Sequence, residues 1–267
     1  MKVLVLADIH LDLHLAEGVD PLKSVSDAQL RSITHCVLAG DVSNKGRKKW
    51  AECLRWITAR LPAAQVYILP GNHDWYDSCL DEEYKLREAA AAHGATFVQK
   101  SELVLGRHRI LCCTLWTDFE IYGDRTDNLR HAATFMNDYH YIRVAKRGYK
   151  KLLPVETAQI HLDHRHWLDE KLSTAFDGET TVITHHAPHV MALTGRPGIG
   201  PCYASDLEAV IVKYQPERWL YGHTHHRITF TVGQTSLTNV SVGYPGQHDP
   251  IDDLGRFTFD LDRGDAP

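Results

Sequence analysis

The chain reads as a mixed α/β protein, with β-sheet covered by helices. Short apolar runs alternate with amphipathic helical patterns over most of the chain. Hairpin-like, turn-separated β segments dominate its last third. That succession points to a mixed sheet system packed under helices. With 267 residues and ordinary apolar content, there is enough chain to bury a sizeable core.

"KVLVLAD" (2–8) is the first strand, and "HCVLAGD" (35–41) and "QVYILPG" (65–71) are the next two. Between the second and third, Trp50, Cys53, Leu54, Ile57 and Leu61 recur at helical spacing. Leu80 and Tyr84 start a second helix, which runs through an alanine tract to a stop at Gly94. "ELVLGRHRILCCTLW" (102–116) predicts a hairpin turning near Gly106. A helix follows Pro154, with Ile160, Trp167, Leu168 and Leu172 on one stripe. "TVITHH" (181–186) and "RWLYGH" (218–223) are later strands. The helix between them carries Leu207, Val210, Ile211 and Tyr214, with Ser205 and Glu208 spaced as a capping box. The end of the chain is β-rich. With no repeat or linker to divide it, residues 1–267 read as one domain, in which the aromatic and basic segment 118–153 is a lid or cap insertion.

The formal net charge of −5 excludes bulk attraction for polyanions, though a bound metal can make a site locally positive. No apolar run approaches the ~20 residues of a membrane span, and "MKVLVLAD" begins a strand rather than a targeting segment. The six cysteines form no CxxC pair, so reduced thiols and a cytoplasmic location are expected. The unusual total is 18 histidines.

Several of these histidines stand at strand ends. Asp8 and His10 follow the first strand, Asp41 the second, Asn72 and His73 the third, His185 and His186 a later one, and His223 and His225 the last. At i, i+2 in extended chain, Asp8 with His10, and His223 with His225, share a side. The C-terminal edge of an α/β sheet is where ligands bind. Carboxylate, amide and imidazole donors suit Mn, Fe or Zn, and seven of them suit two ions sharing a carboxylate.

The ordered set "DIH", "GDVSN", "GNHD", "THH" and "GHTH" resembles the calcineurin-like metallophosphoesterase superfamily. That resemblance implies a four-layer αββα sandwich with two divalent metal ions at the sheet edge. It gives Asp8, His10 and His225 to one ion, Asn72, His185 and His223 to the other, and Asp41 to both. It implies hydrolysis of a small phosphodiester or phosphomonoester by a metal-bridging hydroxide, with His73 as general acid. The phosphoprotein phosphatases of the superfamily have GDxxDRG where this chain has "GDVSNKG", so Asn44 stands in place of the aspartate that orients the histidine. Asn44 and Asp74 are the candidates to orient His73 instead.

His186 should point away from His185 and act behind the ligands or as packing. His226 falls out of phase with its neighbours and is expected to be a bystander. His161, His164 and His166 are expected on a solvated helix face, and Lys48 and Lys49 on a solvated surface. Arg125, Arg130, His131, Arg143, Lys146 and Arg147 read as the rim of a packed cap. A nucleic-acid groove is the less favoured reading of them, and with it a nuclease activity. "RPGIGPCYASD" (196–206) is expected to shape a leaving-group pocket. A binding scaffold without catalysis is disfavoured by the full set of seven candidate ligands. Oligomeric state is not legible.

Overall fold

A computed structural model describes residues 1–193 and 198–261. The first half lays down β1 (Lys2–Leu6), α1 (Leu11–Ala16), α2 (Asp27–Ser32), β2 (Ile33–Ala39), α3 (Gly46–Arg60), β3 (Gln65–Leu69), α4 (Glu83–Ala92) and β4 (Ala95–Phe97). A hairpin follows, β5 (Ser101–Leu105) and β6 (His108–Cys113). Next come α5 (Arg125–Phe135), α6 (Asp138–Tyr141), the short ribbon β7 (Arg143–Val144) and β8 (Lys150–Lys151), and the long α7 (Pro154–Ser173). The chain continues through β9 (Glu179–Thr184), α8 (Glu208–Tyr214), β10 (Arg218–Tyr221), β11 (Thr229–Val232), β12 (Thr235–Asn239) and β13 (Thr258–Asp260).

Two large mixed sheets result, in the orders β13-β1-β2-β3-β4 and β11-β12-β10-β9-β6-β5. β1 to β4 pair in parallel, with β13 antiparallel at the edge. Strand alternation explains the layers. Ile110 and Cys112 of β6 join Leu4, Val37 and Ile68 of the first sheet in one core, while Leu111 and Cys113 face Leu168, Leu172, Val210 and Ile211 of α7 and α8 in another. Trp50, Cys53, Leu54 and Ile57 bury the apolar stripe of α3 in the first core. The order is therefore helix, sheet, sheet, helix. All six cysteines are free and buried. No helix among the described residues is long and apolar enough to cross a membrane.

Two local expectations change. The alanine-tract helix starts at Glu83 rather than Leu80, and Tyr84 is exposed. The capping box at α8 does not form: Ser205 donates its hydroxyl to Asp118 Oδ1 (3.0 Å), and Asp206 Oδ1 accepts from Glu208 N instead. The serine oxygen that would accept a helix-end N–H accepts instead from Asp118 N (3.0 Å), so both sides of the hydroxyl are engaged by Asp118.

Candidate metal centre

The parallel strands deliver their C-terminal ends to one edge. There Ala7 bridges to Ser241, and the hydrogen bonds Ala7 N to Val240 O (3.0 Å) and Val242 N to Ala7 O (2.8 Å) stitch the two sheets together. The backbone then turns sharply. Asp8 (φ 49°), His10 (φ 39°), Asp41 (φ 52°), His223 (φ 61°) and His225 (φ 52°) all adopt left-handed conformations. The i, i+2 pairs therefore do converge, but through strained turns rather than extended alternation. Left-handed backbone at non-glycine residues costs about 1–3 kcal/mol each and concentrates at functional sites.

Close approach of backbones is built in by glycine. A Cβ at Gly71 would run into the Asp41 carboxylate and its backbone nitrogen, and one at Gly222 into the Asp8 carboxylate and the Ala7 side chain.

Asp8, His10 and His225 bring ligand atoms within 4.8 Å of one another, and so do Asp41, His185 and His223. Asp8 accepts from His223 N (2.8 Å) and from Ser241 Oγ (2.6 Å), and its Oδ1 lies 3.2 Å from His225 Nε2. Asp41 sits between the groups: Oδ1 accepts from His73 N (2.8 Å), and Oδ2 is 3.5 Å from His185 Nε2. Asn72 Oδ1 lies 3.0 Å from His185 Nε2. The seven candidate ligands thus meet at one place, in two groups.

The outward nitrogens show what the inward ones can do. His185 Nδ1 lies 3.1 Å from the carbonyl of Ala39, which can only accept. His225 Nδ1 lies 2.8 Å from Gln247 Oε1. That atom also accepts from Tyr244 N (2.9 Å), so it is an oxygen. Both rings donate outward, and a neutral ring then aims a lone pair inward. His185 Nε2 would face the lone pairs of Asn72 Oδ1, and His225 Nε2 stands 3.3 Å from His10 Nε2. The His185–Asn72 pair therefore needs a proton or a metal ion between its two acceptors, while the neutral His10 ring can meet His225 either as a donor or as a second lone pair. His10 Nδ1 and His223 Nε2 are buried without a partner.

The protonation pattern of the metal-free cluster tells the same story. Burial alone would depress His185, but Asp41 and Asp8 hold it up at about 9. Burial likewise opposes charge on His225, and Asp8 outweighs it. Burial pushes His10 down to about 3, and burial with the neighbouring imidazoles puts His186 and His223 well below the usual range. Burial would raise Asp8 and Asp41, but the facing imidazoles hold both low, Asp41 most strongly. The site wants cationic charge at its centre, and its carboxylate, imidazole and amide donors fit divalent metal ions.

His73 lines the mouth of this cluster. Its Nδ1 is 2.7 Å from Asn44 Oδ1, and its ring packs 4.5 Å from that of Tyr76. Its ligand nitrogen also lies within 4.8 Å of those of His10 and Asp41, so a metal contact competes with the acid role. Asp74 does not orient His73. Its carboxylate accepts from Gly71 N (2.9 Å), Ser43 N (3.1 Å) and Trp50 Nε1 (2.8 Å), tying the two loops together. Burial and then the charge of Asp41 raise it to about 7.

His186 does not point away from His185. β9 ends at Thr184, the two-residue period ends with it, and the His186 ring packs 4.1 Å from that of His223. It belongs to neither ligand group. His226 lies outside both as well.

His161 and His164 are buried, against the expectation of a solvated face; His166 is exposed. His164 Nδ1 accepts from Leu115 N (3.1 Å), and His161 Nδ1 lies 3.3 Å from Trp116 O. They clamp a loop in which Leu115 and Trp116 have positive φ. Lys45 and Lys48 pair with Asp77 at the surface, and Lys49 pairs with Glu52. In segment 118–153, Arg125, Arg130 and Arg147 pair with Glu120, Asp127 and Glu156.

Sequence reading missed the residues behind the ligands: Ser241, Gln247, Asp138 and Tyr244, whose ring stacks 4.3 Å from that of His10. Nothing in their local spacing marks them. A cleft of about 230 Å³ opens over the cluster, walled by Tyr76, Phe135, Met136, Tyr203, Tyr244 and Gln247. Tyr203 brings the loop 196–206 to the cleft, stacked 4.7 Å from His223; Arg196 and Pro197 of that loop lie outside the described residues.

A paired carboxylate–imidazole centre on a helix–sheet–sheet–helix frame defines a metal-dependent phosphoesterase. The chain belongs to the calcineurin-like phosphoesterase family, whose model matches residues 1–227. It is a hydrolase of phosphoric esters. It is 23% identical over 261 residues to the uncharacterized protein L509 of Acanthamoeba polyphaga mimivirus, covering 89% of each chain. Its fold is similar to that of a phosphopantetheinyl hydrolase (PptH) from Mycobacterium tuberculosis, with a TM-score of 0.70, 16% identity, and coverage of 100% of this chain and 98% of that one. The protein TT1561 of Thermus thermophilus is a more distant structural match, with a TM-score of 0.50, 12% identity, and coverage of 89% of this chain and 88% of that one.

Proposed function

We propose that the protein hydrolyses a small phosphodiester with two divalent ions of the Mn, Fe or Zn type. The carrying observation is that Asp41 groups with His185 and His223 on one side and with His10 and His73 on the other, while His10 also groups with Asp8 and His225. Asp8, His10 and His225 would hold one ion, Asn72, His185 and His223 the other, and Asp41 both. When bound, the ions supply an activated water and neutralise charge developing on the phosphoryl oxygens.

The remaining work falls to the chain. His73 is the proton donor to the leaving-group oxygen, and Asn44 fixes its ring through Nδ1. Tyr76, Phe135, Tyr203 and Tyr244 offer aromatic walls to an uncharged alcohol arm of the substrate. A diester carries such an arm on each side of one phosphate, which favours it over a monoester. The fold-level neighbour described as a phosphopantetheinyl hydrolase is compatible with an extended arm of this kind. Segment 118–153 contributes Phe135, Met136 and Asn137 to the cleft and serves as a cap within a single domain.

The test is a screen of Mn²⁺-loaded protein on bis-p-nitrophenyl phosphate, p-nitrophenyl phosphate, cyclic nucleotides and single-stranded DNA. Turnover of the diester should exceed that of the monoester. Cleavage of DNA without the aryl diester would establish a nuclease, and two bound ions without any turnover a scaffold.

A further inference from the structure

Asp138 is a buried carboxylate in the cap segment, at the start of α6. Its Oδ1 accepts two hydrogen bonds, from Asn72 Nδ2 (2.8 Å) and from Tyr76 OH (2.9 Å). No strand of either sheet carries it, and it is 66 residues from Asn72 in the chain.

An asparagine side chain can turn either its oxygen or its NH2 toward a cation. A carboxylate accepts only, so the atom of Asn72 that faces Asp138 must be the nitrogen. The oxygen then faces inward, 3.0 Å from His185 Nε2. A negative charge on the NH2 side also polarises the amide and makes its oxygen a better donor to a cation. Tyr76, held by the same oxygen, packs its ring against His73.

We propose that Asp138 is a positioning residue for the ion held by Asn72, His185 and His223, so that the cap is a fixed part of the metal centre and not a detachable lid. This rests on the two-ion reading above. Asp138 acts through Asn72; it belongs to none of the ligand groups.

Metal-free wild type, Asp138→Ala, Asp138→Asn and Tyr76→Phe are titrated with Mn²⁺, and bound ions are counted by equilibrium dialysis with elemental analysis. Wild type should bind two ions per chain. Asp138→Ala should weaken one of the two by about 10–100-fold, the usual cost of losing an outer partner, and leave the other unchanged. Asp138→Asn keeps an acceptor without the charge, so its loss should be smaller. Tyr76→Phe breaks the other bond of Asp138 and should hold both ions as wild type does.

Equal affinities in wild type and Asp138→Ala would overturn the proposal, as would an equal loss in Tyr76→Phe, which would mark a packing effect. Should the alanine variant fail to fold, unchanged Mn²⁺ affinity in Asp138→Asn overturns it instead. Fewer than two ions in wild type would defeat the two-ion reading itself, a separate result.

Discussion

Among the described residues, two regions gather histidine and carboxylate at the spacing of metal ligands, the sheet edge and the segment after β9, and their histidines differ in what they can offer an ion. At the sheet edge, His185 and His225 donate their outer nitrogens to Ala39 O and Gln247 Oε1, leaving lone pairs aimed inward. Beyond β9, His189, only 4% exposed itself, lies with the exposed Asp206 and Glu208 in a group of similar spacing. There, however, His189 Nδ1 accepts from Met191 N (3.2 Å), which puts the proton on Nε2, the nitrogen facing Glu208. A protonated nitrogen cannot coordinate. His164 is bound the same way by Leu115 N. Burial and nearby acids therefore do not distinguish a ligand from a packed imidazole. The partner of the other ring nitrogen excludes His189 and His164, but a carbonyl partner does not by itself make a ligand, as His161 against Trp116 O and His186 against Thr114 O show.

The largest effects should come from the ligands themselves. His223→Ala and His225→Ala should each lose an ion and reduce turnover by more than the ~10–100-fold that removal of an outer partner costs. His226→Ala and His189→Ala should keep both ions. Metal content by elemental analysis decides it, and a lost ion in His189→Ala would break the rule drawn from ring-nitrogen partners.

His73 is the hardest case for that rule, because its Nδ1 also faces an oxygen, Asn44 Oδ1. It differs in lining the open cleft. His73→Asn should lower kcat by about 10²–10⁴-fold, the range for a general acid, with both ions retained. Loss of an ion together with activity would make it a ligand instead.

How far the sequence foretold this site depends on the range of the interactions. Strands ending in Asp, Asn or His were legible, because apolar runs and their terminators are local signals. The candidate ligands came from five motifs in order, and the structure brings those residues to one sheet edge. Extended alternation is not what pairs Asp8 with His10, since left-handed φ at aspartate and histidine leaves no sequence mark. Asp138, Ser241 and Gln247 reach the site from 66, 233 and 22 residues away from the atoms they hold, and only tertiary structure brings them there. The α7 histidines were misplaced for the same reason: their partners, Leu115 N and Trp116 O, are backbone groups of a distant loop.

The smallest effect tests the packed side of the comparison. Burial pushes His164 down from 6.5 to about 3. Its folded ring stays neutral where the unfolded one is charged, so between those values the unfolded chain binds the extra proton. Stability contributed by this residue is therefore present above pH 6.5 and lost as pH falls toward 3. At pH 5 the loss is about 2 kcal/mol relative to pH 7. His164→Asn keeps an acceptor in the place of Nδ1 for Leu115 N and removes the titration. Denaturant unfolding of the metal-free protein should then show a shallower fall between pH 7 and pH 5 in the variant by about that amount. Parallel curves would mean that His164 takes up its proton within the fold. The loop at Leu115 would then yield to acid, and the clamp beneath α7 would be looser than its hydrogen bonds imply.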